Sequence, residues 1–300
     1  MHRMNLSDEN LIIDCPVLSE AAPVVVGGVG GSGTRVIAQL LKTIGFDMGS
    51  DLNESLDDLG FTALFKRADL WPVNQHINEL NTALRVYLTS RGILTPKSIS
   101  SDEHKQRTKK LVSDIYDSTP WMETGTVEQR LEALSNIAVE PNLWGWKEPN
   151  THILLPFLLS ALPNLSYIHV IRDGRDMAHS RNKNQLALWG SMLLGQSINE
   201  STPRTALDYW CATHERFLKI AQLHPGRVHI ITLESCVEKP LKTLQELLRF
   251  LPGRVTPDTV ATLKFEPKLP KTSNRHLNYE KISTTPKQRK LLEKFGYQEK

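Results

Sequence analysis

The residues with the clearest chemical use lie within Pro23–Leu41, PVVVGGVGGSGTRVIAQLL. An apolar run ends in a glycine-rich turn, and the apolar spacing of a helix follows at once. Such a turn aims backbone N–H groups at the mouth of the helix, which is how proteins hold a phosphate or sulfate. Gly30 opens the cradle. The donors would be the N–H groups from Gly31 through Gly33 to Arg35, the hydroxyls of Ser32 and Thr34, and the guanidinium of Arg35. A second set is RDGRDMAHS at 172–180. The planar fork of Arg172 suits a bidentate anion contact. Ser180 follows about two helical turns later, placing its hydroxyl within reach of the same anion. Asp173 and Asp176 flank Arg175 and suit local caps or pairs.

Gly28 to Gly33 have the glycine spacing of a Walker A loop, G-x-x-x-x-G-K-[ST]. Thr34 stands at the lysine position and Arg35 at the Ser/Thr position. The lysine that reaches terminal phosphates and the hydroxyl that holds Mg²⁺ are both missing, so ordinary γ-phosphoryl transfer loses its equipment. An anion cradle is left.

The elements that must position these groups follow from periodicity. Val24–Val26, Leu143–Trp146, Ser166–Ile171 and Arg227–Thr232 are short apolar runs that predict strands. Helices are predicted over Thr34–Ile44, from Pro149 to about Ala161, over Pro203–Leu223, Lys239–Leu251 and near Pro286–Phe295. Residues 47–60 read as an acidic loop, 184–203 as a softer insertion, and 264–279 as an irregular basic tail. About 71–140 alternates helical patterns with polar breaks, two of them TPKSISSD and DSTPWMETGT, and reads as a helical cap. Strand and helix in alternation predict an α/β fold: three layers, a mostly parallel central sheet with helices on both faces. Ligands in such sheets sit at the carboxyl ends of strands, where GGSGTR, WKEP and RDGRD should converge. The whole chain, 1–300, is expected to form one domain carrying the cap.

GGSGTR at 30–35 and IHVIRDGRDMAHS at 168–180 together resemble the sulfotransferase family that uses 3′-phosphoadenosine-5′-phosphosulfate (PAPS). The first is similar to that family's 5′-phosphosulfate loop, the second to its 3′-phosphate motif. LWGWKEPN at 143–150, ITLESCVEKPLKTLQELLRFL at 231–251 and the closing LLEKFGY extend the likeness, and the helical cap stays unmatched. The resemblance implies a P-loop-NTPase-like sulfotransferase fold with a helical insertion. It implies transfer of a sulfuryl group to a hydroxyl or amine by in-line displacement, with adenosine 3′,5′-bisphosphate leaving and no metal. A cation should face the bridging oxygen, and a carboxylate or histidine should take the acceptor's proton. Gly31 stands where the family usually carries Lys or Arg, and Arg35 where a second threonine is common. Lys147 of the KEP element is therefore the first candidate for the leaving-group cation, with Arg35 supplementing it. For the base the resemblance points to the stretch after the first helix, which offers Asp51, Glu54, Asp57 and Asp58, with Glu54 and then Asp58 favoured. His76, His104 and His152 are the histidine alternatives. Lys271, Ser273 and Arg275 of the tail are the further candidates for the 3′-phosphate.

Bulk properties agree with a soluble globular protein. The 300 residues are 40% hydrophobic and 23% charged, with a net charge of +3, which calls for no nucleic-acid partner. Cys15, Cys211 and Cys236 form no CxxC, which predicts free thiols in a reducing, cytoplasmic setting. The start, MHRMNLSDENLIIDCP, lacks the apolar core of a signal peptide, and no window reaches the ~18 apolar residues of a membrane span. Trp144, Trp146, Trp189 and Trp210 read as core. The acceptor (glycan, lipid, small molecule or peptide) and the oligomeric state stay open. So do two other readings: a non-catalytic adenosine-bisphosphate-binding protein, and a divergent P-loop kinase.

Overall fold

The computed structural model describes residues 11–94, 101–118, 124–251 and 263–298. Four strands, β1 (Val24–Gly28), β2 (Gly145–Lys147), β3 (Ser166–Ile171) and β4 (Val228–Thr232), form a sheet in the order β2-β1-β3-β4. All pairings are parallel, with Val25 opposite Trp146 on one side and Tyr167 on the other. Parallel strands covered on both faces must be apolar throughout, and β1 is buried at every position. β2 is shorter than predicted, and Trp144 lies just before it, its carbonyl accepting from Val24 N–H (2.9 Å) and its backbone bridged to Asp47.

The pleat sends alternate residues to opposite faces. Val24, Val26, Ile168 and Val170 pack on one face with helices α1 (Thr34–Thr43) and α11 (Pro240–Phe250). Val25, Tyr167 and Ile171 pack on the other with α6 (Thr151–Ala161) and α9 (Pro203–Leu223). The result is the predicted three-layer α/β architecture. The insertion between α1 and β2 begins before Trp71: α2 (Leu59–Phe65), α3 (Ile77–Ser90), α4 (Ser101–Ser118) and α5 (Thr124–Ser135) compose it. Phe61 of α2 and Tyr87 of α3 pack on Trp146, joining it to the main core. The start through Asn10, and 95–100 and 119–123 of the two polar breaks, lie outside the described residues.

Two predicted elements differ. α6 starts at Thr151 rather than at Pro149, because the Pro149 carbonyl accepts from Gly28 N–H (3.2 Å) at the end of β1. The stretch from 184 is not a soft insertion but opens with helix α8 (Asn184–Leu194). Its glycine is there for closeness: a Cβ on Gly190 would lie 2.3 Å from Ile198 Cδ1. The remaining helices are α7 (Gly174–Ala178), α10 (Leu233–Glu238) and α12 (Pro286–Lys294). No helix among the described residues is long and apolar enough to cross a membrane.

Candidate functional site at the strand ends

β1 ends at Gly28, whose φ of +149° and 2.4 Å approach of a built Cβ to the Val170 carbonyl leave no room for a side chain. The chain then turns through Val29–Gly33 into α1, with Gly33 left-handed at the N-cap (φ 99°). The first N–H groups of a helix have no partner inside it, so those of Thr34 and Arg35 stay available at the mouth of the turn. Ser32 is buried and its hydroxyl has no protein partner. Gln185 of α8 braces the turn from outside: it accepts from Gly30 N–H (3.1 Å) and donates to the Gly28 carbonyl (3.3 Å). A Cβ on Gly31 would touch only the Met177 side chain.

Arg172 leaves β3 with its guanidinium buried, donating to Thr272 Oγ1 (3.2 Å), to the Thr272 carbonyl and to Asp176 (3.2 Å). Asp173 caps α7 and pairs with Arg175 (2.6 Å), as expected of residues flanking an arginine. Asp176 does more than pair locally. It accepts from the backbone N–H groups of Asn274 (2.7 Å) and His276 (3.2 Å), and its carboxylate meets His276 Nδ1 (2.6 Å). Burial pushes its carboxyl up, but these donors and Arg172 outweigh that and hold the pKa below the usual range. The irregular tail is thereby clasped over Arg172. Arg275 in the clasp donates to the Thr272 and His179 carbonyls, and burial together with the nearby Arg172 charge lowers its pKa. Two guanidiniums held close in this way favour an anion between them. Ser180 sits at the edge of this group, its hydroxyl accepting from Asn182 N–H (3.2 Å). Ser273 is partly buried with an unpartnered hydroxyl, and Lys271 is exposed.

A cavity of about 120 Å³ opens beside the glycine turn, lined by Gly30, Asp57, Lys66, Glu148, Lys183 and Gln185 among others. The expected catalytic groups distribute unevenly around it. Lys147 is buried at the end of β2, donating to the Ser55 carbonyl (3.0 Å) and pairing with Asp57. Arg35 lies elsewhere: it is exposed and lines a groove with Lys264–Pro267, because its position at the start of α1 turns it away from the cavity side. Among the four acidic candidates, Asp51 pairs with Arg130 of α5, and Glu54 is exposed. Asp58 is buried, capping α2 by accepting from Phe61 N–H (2.8 Å), and it also accepts from Tyr87 (2.9 Å) and Arg91 (3.2 Å). With its oxygens committed in this way, Asp58 anchors the fold, and neither it nor Glu54 lines the cavity. Asp57 does. His76 lies near Glu79, His104 meets the Leu134 carbonyl (2.9 Å), and His152 is buried in α6; none lines the cavity.

Lys66, Lys183, Gln185 and Glu148 are the cavity groups to which residue patterns assign no role. Glu148 had a usable signal, standing directly after a strand in the KEP element. Lys66 and Gln185 had none, since only packing brings them in. The four tryptophans are core, as expected, and two also brace the site: Trp189 Nε1–H donates to Asn150 (2.8 Å) and Trp210 Nε1–H to the Arg172 carbonyl (3.1 Å).

An all-parallel sheet whose strand ends carry a glycine turn and a clasped arginine defines a P-loop-like α/β protein. The Sulfotransferase family matches residues 23–257, and the chain belongs to that family. Among solved structures, the sulfotransferase domain of the Synechococcus PCC 7002 olefin synthase is similar at 16% identity and a TM-score of 0.52, covering 94% of this chain and 97% of that one. The sulfotransferase domain from the curacin biosynthetic pathway gives 16% identity, a TM-score of 0.46 and coverage of 94% and 99%. A Mycobacterium avium sulfotransferase gives 14%, 0.45, and coverage of 93% and 76%. No curated protein sequence matches the chain.

Proposed function

We propose that this protein transfers the sulfuryl group of PAPS to a hydroxyl or amine acceptor. The observation that carries the reading is the placement of two sets of donors suited to an anion at neighbouring strand ends. The turn after β1 offers free helix N–H groups and the unpartnered Ser32 hydroxyl. After β3, Arg172 and Arg275 converge at the tail clasp. The first fits a 5′-phosphosulfate, held by Gly30–Arg35 backbone and by Ser32 and Thr34. The second fits a 3′-phosphate, held by Arg172, Ser180 and Arg275, with Lys271 outside the clasp. PAPS, when bound, supplies an activated sulfur and a stable leaving group. Lys147 stands one strand from the turn, where its ammonium can neutralise charge on the leaving oxygen if Asp57 shares it. The acceptor would enter the cavity between the turn and the residues flanking α2. Free thiols at Cys15, Cys211 and Cys236 support a reducing, cytoplasmic setting.

Two observations favour a second reading, a nucleotide-binding protein without catalysis: the Arg35 side chain lies off the cavity, and Gly31 offers no cation. Thermal-shift titration with adenosine 3′,5′-bisphosphate in the absence of Mg²⁺ tests binding, since a ligand of the native state raises the melting temperature. Stabilisation by ATP with Mg²⁺ alone would refute both readings. Transfer of the labelled sulfuryl group from PAPS onto an acceptor panel separates enzyme from binder.

A further inference from the structure

Glu148 is a buried carboxylate inside the cavity for which pairing and capping give no account. Its backbone N–H donates to the Val26 carbonyl (3.1 Å), which fixes it at the end of β2 beside the end of β1. Gly30 lines the same cavity. The carboxylate is aimed by a relay: Asn150 Nδ2–H donates to Glu148 Oε1 (2.7 Å), and Trp189 Nε1–H donates to Asn150 Oδ1 (2.8 Å). Trp189 and Asn150 are themselves buried, so the relay is rigid. Its hydrogen bond comes from a neutral amide, whereas Asp57, the other carboxylate in the cavity, is paired with Lys147. A base must combine an open cavity face, a fixed orientation and a free proton-accepting oxygen. Glu148 lines the cavity with Oε1 held by Asn150, whereas of the four acids of 51–58 only Asp57 lines it, and Asp57 is paired with Lys147.

We propose that Glu148 is the group that takes the acceptor's proton, an assignment that rests on the sulfuryl-transfer reading. The acceptor's O–H or N–H bond breaks and its proton passes to a Glu148 oxygen. The freed electron pair forms the new bond to sulfur. The bond from sulfur to the bridging oxygen breaks, and its electrons leave on the 5′-phosphate of adenosine 3′,5′-bisphosphate. Glu148 then returns the proton to water. Burial pushes the Glu148 carboxyl up to about 7, with Asp57 adding to the rise and Asn150 and Lys66 opposing it. A base is most effective with a pKa near the working pH. The charged and titratable groups around Glu148 are Asp57 and Lys66 on either side of α2, Lys147 beside it, Tyr167 beneath, and Lys183 and Tyr209 across the cavity.

The test compares the wild-type protein with Glu148→Gln and Glu148→Asp. Formation of adenosine 3′,5′-bisphosphate and of labelled sulfated product from labelled PAPS is followed from pH 5.5 to 8.5 with water and a panel of phenols, sugars and amines, and adenosine 3′,5′-bisphosphate affinity is measured beside it. In Glu148→Gln the amide oxygen keeps the hydrogen bond from Asn150, so the fold and nucleotide affinity should persist. The expected result is a fall in kcat of about a hundredfold or more, loss of the wild-type rise in rate with pH near 7, and partial recovery in Glu148→Asp. A wild-type rate or an unchanged pH profile in Glu148→Gln overturns the assignment. A loss of nucleotide affinity that tracks the loss of rate makes Glu148 a scaffold residue and also overturns it. Absence of both labelled sulfated product and adenosine 3′,5′-bisphosphate formation from the wild-type protein with every acceptor sinks the sulfuryl-transfer reading, and this assignment with it.

Discussion

Replacement of Asp58 distinguishes an anchor from a catalyst. Its Oδ1 caps α2 at Phe61 N–H, and its Oδ2 accepts from Tyr87 and Arg91. Loss of an N-cap costs about 1 kcal/mol. Removing one partner of a buried ion pair costs about 3–5 kcal/mol. Arg91 also donates to the Asp47 and Gly145 carbonyls and pairs with Asp47, which moderates the second figure. The net expectation for Asp58→Ala is about 4 kcal/mol. At about 2–4 °C per kcal/mol for a chain of this size class, the melting temperature should fall by about 8–16 °C. Differential scanning fluorimetry gives that number, and rate per folded molecule, measured well below the new midpoint, gives the other. The folded fraction should retain activity and bind adenosine 3′,5′-bisphosphate. A variant that melts within about 2 °C of wild type yet has lost turnover would refute the reasoning and make Asp58 a catalyst.

Two further outcomes follow from the same geometry. Arg172→Ala should weaken adenosine 3′,5′-bisphosphate binding about tenfold to a hundredfold, since a hydrogen bond to a charged group is worth about 1.5–3 kcal/mol. Calorimetric titration checks this, and an unchanged Kd removes Arg172 from the nucleotide site. His152, His169 and His214 are buried together, and burial lowers all three pKa values, that of His214 to about 4. Their neutral forms fit the fold, so their contribution is complete above the unfolded pKa of about 6.5 and is lost as pH falls toward 4. Denaturant midpoints should decline across that window, and a flat profile down to pH 4.5 would contradict the burial argument.

The strands were legible because a parallel strand covered on both faces has to be apolar along its length, as VVVGG is. The glycine turn was legible because positive φ and close backbone contact leave few other residues possible. Gly190 and Ser191 look like breakers of α8 in the sequence, while in the fold the small residue at 190 lets Ile198 and Leu186 pack close. Lys147 was recognised as a strand-end cation, but its pairing with Asp57 depends on a loop some 90 residues away, which no local pattern encodes. Glu148 is flagged by its place after a strand, but its role is not. Its burial, its relay through Asn150 and its neighbour Asp57 all come from packing. Arg35 shows the limit of motif matching: one position along a helix rotates a side chain by about 100°, enough to carry it off the site.

The sheet order also sets a timetable. β1 is the first strand made, yet it lies inside the sheet, and Gly145 and Ser166 supply its partners. About 120 residues must follow Val24 before its first partner exists, which at roughly 5–20 residues per second is roughly 6–24 seconds of synthesis. Through that interval a run of valines with both hydrogen-bonding edges open has no native place to go. Such a segment invites pairing with other chains. Yield in cells should therefore depend on holdase chaperones and on translation speed more than on the stability of the finished fold.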